Sequence, residues 1–447
     1  MKKIIAVCLT ALVILDMSLP SIAAKKPPDI ISEAAVVMDV RTGQVLFDKN
    51  MDEPLFPASI TKILTCALAL KKGDPTGKTV TMTDEAVWSV PRDTTHLALT
   101  TGEIIPINDL LHATMMQSAN DAANGLAIYV SESLPAFAQY MTDSAREMGA
   151  KNSNFTNSNG LPDPNHITTA YDMAEITRKA LEIDGFRQLF GEKEYTMPST
   201  NKQPQSRHFV TKHLMLTPDG FFYPEATGGK LGWTEESKHT SVTLAKKDDL
   251  ELICVTMKSD NADDKYIDTR GLFDYCFFNF NNVTFPSERF AQNPIPVFEG
   301  ESQVGTVTVT PKPVTILKPS TIAKAEIKID MELPIRYEGT ENINPKVKFV
   351  LHDKVISEIP LEYKIDMLPK AAPAALSSAK RSAPKLKSLP WIILIVSTVF
   401  LIIALLFLIR TINIMRLNKR INEKRRKAAQ NKTAQSTVTK QKNKGTK

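Results

Sequence analysis

The sequence is poor in the residues that mark a disulfide-framed or metal-binding protein. It has four cysteines among 447 residues, and none forms a C-x-x-C pair. Cys8 falls in an N-terminal apolar run, which leaves the odd number Cys66, Cys254 and Cys276 and argues against a disulfide framework. No pair of its seven histidines has H-E-x-x-H spacing. We therefore predict neither a metal site nor a cofactor.

Two further motifs are missing or incomplete. No G-x-S-x-G nucleophile elbow occurs anywhere in the sequence. The segment 73–79 imitates a phosphate-binding loop, but it lacks one spacer residue, and we interpret it as a surface turn. A nucleotide site at this segment is therefore not expected.

Acidic residues are scarce only near the C-terminus. Residues 410–447 carry thirteen Lys and Arg against the single acid Glu423, a net of +12, so the preceding chain is −6 although the total is +6. This basic excess follows a long apolar run, so we predict no nucleic-acid partner. Residues 416–427 are expected to contact anionic lipid headgroups or to form a solvated tail.

Both ends of the sequence indicate export and anchoring. Residues 1–24 have the charged start, apolar stretch and small-x-small site of a signal peptide, with a short membrane anchor as the alternative. Residues 391–409 are nineteen uncharged residues, enough at about 1.5 Å each to cross a roughly 30 Å hydrocarbon core as a transmembrane helix. Basic flanks stay in the cytoplasm. We predict a single-pass cell-membrane protein with an extracytoplasmic main domain and a cytoplasmic tail at 410–447.

Between these ends the pattern indicates two folded domains. Residues 25–284 mix helical periodicity with strand runs and form the larger one. Residues 285–366 alternate apolar and polar residues and predict a small all-β domain without reactive side chains, which serves as a spacer or an interaction module. Residues 367–390, rich in Pro, Ala, Ser and Lys, predict a linker to the membrane.

Within the larger domain the order of elements can be predicted. We expect a β-hairpin, an opening helix after Pro57, a helix-rich segment, strands after Gly185 and a closing helix. The hairpin, the helix-rich segment, the strand pair and the closing helix are predicted at 34–47, 106–188, 241–256 and 267–278.

The opening helix carries the first candidate chemistry. Ser59 and Lys62 are three residues apart, and such a pair on a helix has Cβ atoms roughly 5–6 Å apart. A serine becomes a useful nucleophile when a neighbouring base takes its proton. Burial lowers the pKa of a lysine and so makes it such a base. A helix cap beside an exposed lysine is the alternative, and Ser-x-x-Lys recurs at 199–202, 377–380 and 382–385.

Two later motifs support the Ser59 interpretation by their order and element type. Ser118-x-Asn120 falls where one predicted helix ends and the next begins, although Ser118 could also be a helix N-cap. Lys230-x-Gly232 lies on a predicted strand with flanking glycines, which let a ligand approach the strand edge. An edge-strand lysine that limits aggregation is the alternative for Lys230.

In this order the three motifs resemble those of the penicillin-binding proteins, and more narrowly of the D-alanyl-D-alanine carboxypeptidases. The resemblance covers roughly 31–280 and extends to Asn124, to 159–162 and to 169–174. It implies a penicillin-binding/β-lactamase-like fold of the α/β (α+β) type, with an antiparallel sheet, flanking helices and a helical lobe. Along the chain, the predicted small all-β domain and one predicted C-terminal transmembrane helix come after this fold.

The resemblance also implies catalytic roles. Ser59 is the nucleophile that attacks the carbonyl between two terminal D-alanines of a peptidoglycan stem peptide. Lys62 takes the proton of Ser59, and Ser118 relays a proton to the leaving amine. Water then hydrolyses the acyl-enzyme, and β-lactams, which mimic the dipeptide, are covalent inhibitors.

Substrate-binding roles follow from the same resemblance. Asn120 holds the substrate's amide, and Lys230 offers positive charge to its terminal carboxylate. Gly232 and Trp233 continue the substrate-binding strand. The backbone N–H groups of Ser59 and Trp233 form the oxyanion hole.

One residue departs from the family pattern. The third motif of the family is usually Lys-Thr-Gly, and here its middle residue is Leu231. Leucine cannot donate a hydrogen bond to the substrate carboxylate, and loss of such a charge-assisted bond is worth about 1.5–3 kcal/mol. Thr234 is too far along the strand to be counted on as a replacement. Lys265 stands about where relatives often carry an arginine.

We therefore predict a serine-type D-Ala-D-Ala carboxypeptidase of the cell wall, whose partners are peptidoglycan stem peptides, β-lactams and the membrane. The alternative that Leu231 motivates is a catalytically impaired penicillin-binding pseudoenzyme that binds peptidoglycan. A β-lactamase is disfavoured, because class A enzymes use a glutamate for deacylation and residues 156–166 offer only Asp163.

Overall fold

The computed structural model describes residues 25–218 and 220–368. The predicted signal peptide at 1–24, the transmembrane helix at 391–409 and the tail at 410–447 lie outside the described residues, as does the linker beyond 368. Within the described ranges, no helix combines the length and apolarity that crossing a membrane requires.

The larger domain begins with a hairpin, continues through a series of helices and returns to strands before its closing helix. Its elements in chain order are β1 (Ala34–Asp39), β2 (Val45–Lys49), α1 (Lys62–Lys71), β3 (Thr79–Thr81), α2 (Asp84–Trp88), β4 (Ile104–Pro106), α3 (Ile107–Met116), α4 (Asn120–Ser131), α5 (Leu134–Glu147), α6 (Ala170–Ala180), α7 (Phe186–Gly191), β5 (Glu194–Met197), β6 (Arg207–Val210), β7 (Ala226–Thr234), β8 (Lys238–Lys247), β9 (Leu250–Ser259) and α8 (Asp264–Asn279).

The central sheet has five antiparallel strands in the order β2-β1-β9-β8-β7. Both predicted hairpins are confirmed, because β1 pairs with β2 and β8 pairs with β9. Alternate residues of β1 enter two different cores: Val36 and Met38 pack on one face, and Ala35 and Val37 on the other. The sheet is thus covered on both sides, which explains why these strands are almost continuously apolar.

Helices cover the two faces unequally. α1 and α6 lie over one face together with the helical lobe α2–α5, and α8 covers the other face. The predicted buried stripe of α1 and the preceding turn is confirmed, since all five of its residues are fully buried: Ile60, Ile63, Leu64, Ala67 and Leu68. The nucleophile turn is thereby fixed against the core of the domain.

One local prediction is wrong. Strands were expected directly after Gly185, but α7 comes first. Gly185 has a φ of +81° at the N-cap, and Phe186, Leu189 and Phe190 are buried at helical spacing. The short apolar turn therefore packs as a helix before β5 begins.

The second module is all β, as expected. Its strands are β10 (Phe280–Phe285), β11 (Ile295–Glu299), β12 (Ser302–Val309), β13 (Val314–Pro319), β14 (Lys328–Glu332), β15 (Tyr337–Glu338), β16 (Lys346–Leu351), β17 (Lys354–Pro360) and β18 (Tyr363–Met367).

This module begins earlier along the chain than the sequence pattern indicates. β10 follows α8 without a break and pairs with β13, so its first strand starts at Phe280, whereas the expected boundary fell at 284/285. Gln44 joins the two parts of the chain. Its amide accepts from the Leu317 N–H at 3.1 Å and donates to the Leu317 carbonyl at 2.9 Å.

Candidate active site

Ser59 lies in a single 3-10 turn, Ala58–Thr61, that leads directly into α1. Ala58 has a φ of +50°, an uncommon left-handed conformation for a residue with a side chain. The Ser59 side chain is half-buried, and Lys62 is fully buried. Lys62 Nζ is 2.9 Å from Ser59 Oγ, so the pair predicted from sequence is within hydrogen-bonding distance.

Two further oxygen atoms hold the Lys62 amine. Lys62 Nζ donates to Asn120 Oδ1 at 2.7 Å and to the Asn159 main-chain carbonyl at 2.5 Å. Neither oxygen carries a hydrogen, so both can only accept. Burial lowers the pKa of Lys62 well below its usual value, and the nearby charge of Lys230 lowers it further. The neutral amine is favoured as a result.

Ser118 joins α3 to α4 and has a φ of +61°. It does not cap α4, whose N-cap is Ala119 without a side-chain hydrogen bond. Instead, Ser118 Oγ accepts a hydrogen bond from Lys230 Nζ at 3.1 Å. The structure therefore brings the second and third motifs together.

Lys230 lies on β7, an edge strand, but it is not a solvent-facing edge lysine. It is 4% exposed, and its Nζ also donates to the Leu231 carbonyl at 2.9 Å. Burial lowers the pKa of Lys230 to about 7. A buried ammonium held by a serine and a carbonyl, without a carboxylate partner among its hydrogen bonds, is well suited to an anionic ligand.

Gly232 lets β7 pass directly beside the nucleophile. A Cβ placed on Gly232 would lie 2.8 Å from the Ser59 backbone nitrogen and also too close to the Thr240 hydroxyl. Any larger residue would force the strand away from the 3-10 turn. The main chain at Gly232 is consequently next to the Ser59 N–H.

Ser59, Ser118, Lys230 and Gly232 line one cleft of about 260 Å³. All of its titratable lining side chains are basic among the described residues, and they come from four segments of the chain: Lys212, His213, Lys230, His239 and Lys265. Ser59, Thr95, Ser118, Leu231 and Trp233 also line it. The cleft therefore combines a nucleophile with an environment that favours anions.

At the strand end of the cleft, Leu231 is half-buried and packs against the core under α8. Thr234 does not replace the missing hydroxyl, because its Oγ1 is bonded to Ser237 Oγ at 3.0 Å. Lys265 lines the cleft, donates to the Ala262 carbonyl and has its pKa lowered to about 8 by burial. The Trp233 side chain is 60% exposed at the rim.

Sequence reasoning missed how Asn159 and Asn124 act together. Asn124 Oδ1 accepts from Ser158 Oγ at 2.7 Å and from Asn159 Nδ2 at 3.2 Å, and so holds the carbonyl that faces Lys62. Gly160, with a φ of +86°, packs its Cα against the Ala58 carbonyl, where any Cβ would overlap. The sequence pair Asn159-Gly160 could be recognised as a turn. That Asn124 bonds to this turn could not be recognised from the sequence.

His166 is a second residue that the motifs did not identify. It is 1% exposed, its Nε2 is 2.9 Å from Thr61 Oγ1, and its Nδ1 accepts from the Thr156 N–H at 3.0 Å. Burial lowers its pKa to about 4, so it is neutral. Asp163, the one acid of this segment, bonds instead to the Asn165 N–H at 2.8 Å.

The competing motifs are elsewhere in the fold or outside the described ranges. Ser199 and Lys202 are exposed, and Ser259 is buried against Ser32, with Oγ atoms 2.8 Å apart. The Ser-x-x-Lys matches at 377–380 and 382–385 lie outside the described residues. No group of three or more potential metal ligands clusters within 25–218 and 220–368.

Comparisons with known proteins agree with this geometry. A family model described as D-alanyl-D-alanine carboxypeptidase matches residues 21–261. The D-alanyl-D-alanine carboxypeptidase DacF of Bacillus subtilis is 27% identical over 381 residues, 82% of this chain and 95% of that protein. DacC of Escherichia coli is 26% identical over 298 residues, 63% of this chain and 72% of that protein.

The fold is likewise that of known structures. Penicillin-binding protein 5 of Haemophilus influenzae superposes with a TM-score of 0.62 at 25% identity, covering 77% of this chain and 99% of that one. The penicillin-binding/β-lactamase-like fold expected from the motifs is therefore confirmed. Since the family model spans more than half of the sequence, the chain belongs to the D-alanyl-D-alanine carboxypeptidase family of serine peptidases.

Proposed function

We propose that this protein removes the terminal D-alanine from peptidoglycan stem peptides through an acyl-enzyme on Ser59. The observation that carries the proposal is the set of three contacts around Lys62 Nζ. A neutral amine has two hydrogens and one lone pair. Asn120 Oδ1 and the Asn159 carbonyl can only accept and so take both hydrogens, which leaves the lone pair for the Ser59 hydroxyl proton.

Acylation then follows from the positions of the groups. As the Ser59 Oγ–H proton passes to Lys62 Nζ, Oγ bonds to the carbonyl carbon between the two D-alanines. The oxyanion that forms accepts hydrogen bonds from the Ser59 and Trp233 N–H groups, which is supported by the close approach of β7 to the Ser59 backbone nitrogen at Gly232. Such preorganised donors stabilise charge as it develops, without further rearrangement.

Breakdown of the tetrahedral intermediate requires a proton at the leaving nitrogen. Ser118 Oγ, bonded to Lys230 Nζ at 3.1 Å, donates its proton to that nitrogen as the C–N bond breaks and D-alanine leaves, and regains a proton from the Lys230 ammonium. Water then attacks the ester on Ser59 and releases the shortened peptide. Asn120 binds the substrate's amide, and Lys230 attracts the terminal carboxylate. β-Lactams acylate Ser59 by the same route.

The alternative, a pseudoenzyme that binds peptidoglycan without turnover, rests on Leu231 alone. The contacts of Lys62 with Ser59 and Asn120 support turnover over this alternative, because Leu231 takes part in neither of them. A full-length chain that turns over a D-Ala-D-Ala peptide would exclude it.

The test of the function uses the full-length protein and a fluorescent penicillin. We expect covalent labelling of the wild type, a penicilloyl mass increase mapped to Ser59, and D-alanine release from a stem-peptide analogue. Ser59→Ala should abolish all three. Labelling that survives Ser59→Ala, or a mass increase elsewhere in the chain, would refute the assignment of the nucleophile.

We also propose that the protein is exported and anchored by residues 391–409, with 410–447 in the cytoplasm. The support is sequence alone: the uncharged segment and the net charge of +12 that follows it. Protease added to intact spheroplasts should degrade the main domain and spare a C-terminal tag. A tag that is digested together with the domain would contradict this topology.

A further inference from the structure

The Asn120 side chain has different partners at its two ends. Its Oδ1 accepts from Lys62 Nζ at 2.7 Å, and its Nδ2 donates to Thr94 Oγ1 at 3.1 Å. The Asn120 backbone N–H also donates to the Thr95 carbonyl at 2.9 Å. The segment 91–99, which runs between α2 and β4, therefore contacts the second motif directly.

Thr94 determines which end of the amide faces it. The Thr94 hydroxyl donates its one proton to the Pro91 carbonyl at 2.7 Å, and a carbonyl can only accept. Toward Asn120, Thr94 Oγ1 can therefore offer only lone pairs. It pairs with the amide nitrogen of Asn120 and not with its oxygen.

The orientation of the Asn120 amide determines which hydrogen-bond partners the Lys62 amine has. With the nitrogen held by Thr94, the Asn120 oxygen must face Lys62. A flipped amide would place N–H groups against the Lys62 amine and remove one of the two acceptors that occupy its hydrogens. The amide nitrogen has two hydrogens, and Thr94 takes one, so the other stays available for a substrate carbonyl.

The position of segment 91–99 does not depend on the Thr94 hydroxyl. Asp121, which is fully buried, accepts the Leu97 N–H at 3.1 Å and the Leu99 N–H at 3.0 Å. These bonds hold the segment on α4 independently. Removing one hydroxyl should therefore leave the backbone in place.

We propose that Thr94 is a positioning residue for catalysis, which orients the Asn120 amide so that its oxygen accepts from Lys62 and one N–H remains for the substrate. This inference rests on the proposed function of the same site. Segment 91–99 then contributes to catalysis, because the Thr94 hydroxyl acts on the base Lys62 through Asn120.

The test compares Thr94→Val, which keeps the shape of the side chain, with Thr94→Ser, which keeps the hydroxyl. Thr101→Val is the matched control, because the exposed Thr101 hydroxyl donates to Asp84 Oδ1 at 2.6 Å on the same connecting segment, away from the cleft. The measurements are the second-order rate constant of acylation by a fluorescent penicillin, and kcat and KM for a D-Ala-D-Ala peptide, all on the full-length chain.

Thr94→Val should lower the acylation rate constant about tenfold or more, as expected for one buried polar group left without its partner. The loss should appear in kcat more than in KM, because the base is affected. Thr94→Ser should stay within about twofold of the wild type, and Thr101→Val should match the wild type. Thr94→Ala serves as a second hydroxyl-free variant if the valine does not fold.

Three results would overturn the inference: Thr94→Val or Thr94→Ala acylating like the wild type, Thr94→Ser as slow as Thr94→Val, or Thr101→Val equally slow. Each would show that the hydroxyl does not orient the amide. Wild-type protein that is not acylated at all would instead refute the proposed function, so the two failures are distinguishable.

Discussion

The two ends of the cleft differ in how completely their polar groups are held. At the nucleophile end, Lys62 makes three hydrogen bonds, and its partners Asn120 and Asn159 are themselves held by Thr94 and Asn124. At the strand end, the Leu231 side chain offers no polar atom, and the Trp233 side chain is 60% exposed.

In the proposed mechanism, this difference separates two tasks of one site. Activation of Ser59 needs catalytic groups held to within about 0.5 Å, and the fold supplies them from α1 and the turn before it, from the start of α4 and from the loop around Asn159. Recognition of a carboxylate depends more on charge than on exact position. The basic residues Lys230 and Lys265 can provide that charge without a hydroxyl at position 231. Changes at the nucleophile end should therefore cost far more than changes at the strand end.

The largest effect is expected at Lys62. Lys62→Met keeps most of the buried volume but removes the base, and a positioned general base typically contributes about 10²–10⁴ in rate. Acylation by fluorescent penicillin should fall by about that factor, because no amine is left to take the Ser59 proton. Near-normal acylation of the methionine variant would mean that another group takes the Ser59 proton.

Gly232→Ala should have the next largest effect. The added Cβ would press on the Ser59 backbone nitrogen and push β7 away, separating the two oxyanion donors. Loss of one such donor costs about 10²–10³ in kcat. Gly271→Ala in α8 is the matched control, because its Cβ would make only ordinary van der Waals contacts with Pro28, the nearest at 3.6 Å. Equal acylation rates in the two variants would contradict the close approach.

The sequence predicted the nucleophile end better than its surroundings. Ser59, Lys62 and Ser118 could be picked out because each is a polar or reactive side chain at a fixed spacing or element boundary. The apolar stripe of α1 similarly indicated that Lys62 would be buried. These features are local, so a single sequence can reveal them.

What the sequence could not reveal is mostly non-local. The third partner of Lys62 is a main-chain carbonyl at Asn159, and every residue has a carbonyl, so no side-chain pattern identifies it. Thr94 is an ordinary threonine until the fold places it on Asn120. The early start of the second module at Phe280 was missed for the same reason, since only the pairing of β10 with β13 defines it.

Leu231→Thr tests the strand end of the cleft by an expected increase in activity, whereas the preceding variants should lower it. A restored hydroxyl would donate to the substrate carboxylate, and a charge-assisted bond of about 1.5–3 kcal/mol corresponds to roughly tenfold to a hundredfold. We expect kcat/KM for a D-Ala-D-Ala peptide to rise toward the lower part of that range, because basic groups already compensate. Leu231→Val, which adds no hydroxyl, should not increase it. A threonine variant no better than the valine variant would show that carboxylate recognition here does not use this position.

The smallest expected effect is a pH dependence set by the strand end. Because the pKa of Lys230 is about 7, its charge and its attraction for a carboxylate decline as pH rises through 7, and Lys265 follows at about 8. The value of kcat/KM for a D-Ala-D-Ala peptide, which reports the free enzyme, should fall up to about tenfold between pH 7 and 8.5. The same peptide with a C-terminal carboxamide should not show this fall. Stability changes in the other direction: the unfolded chain, with Lys230 at its ordinary 10.5, binds more protons between pH 7 and 10.5, so the free energy of unfolding rises with pH. A decline in activity that is the same for both peptides would assign it to the nucleophile end, and the separation of tasks along the cleft would be wrong.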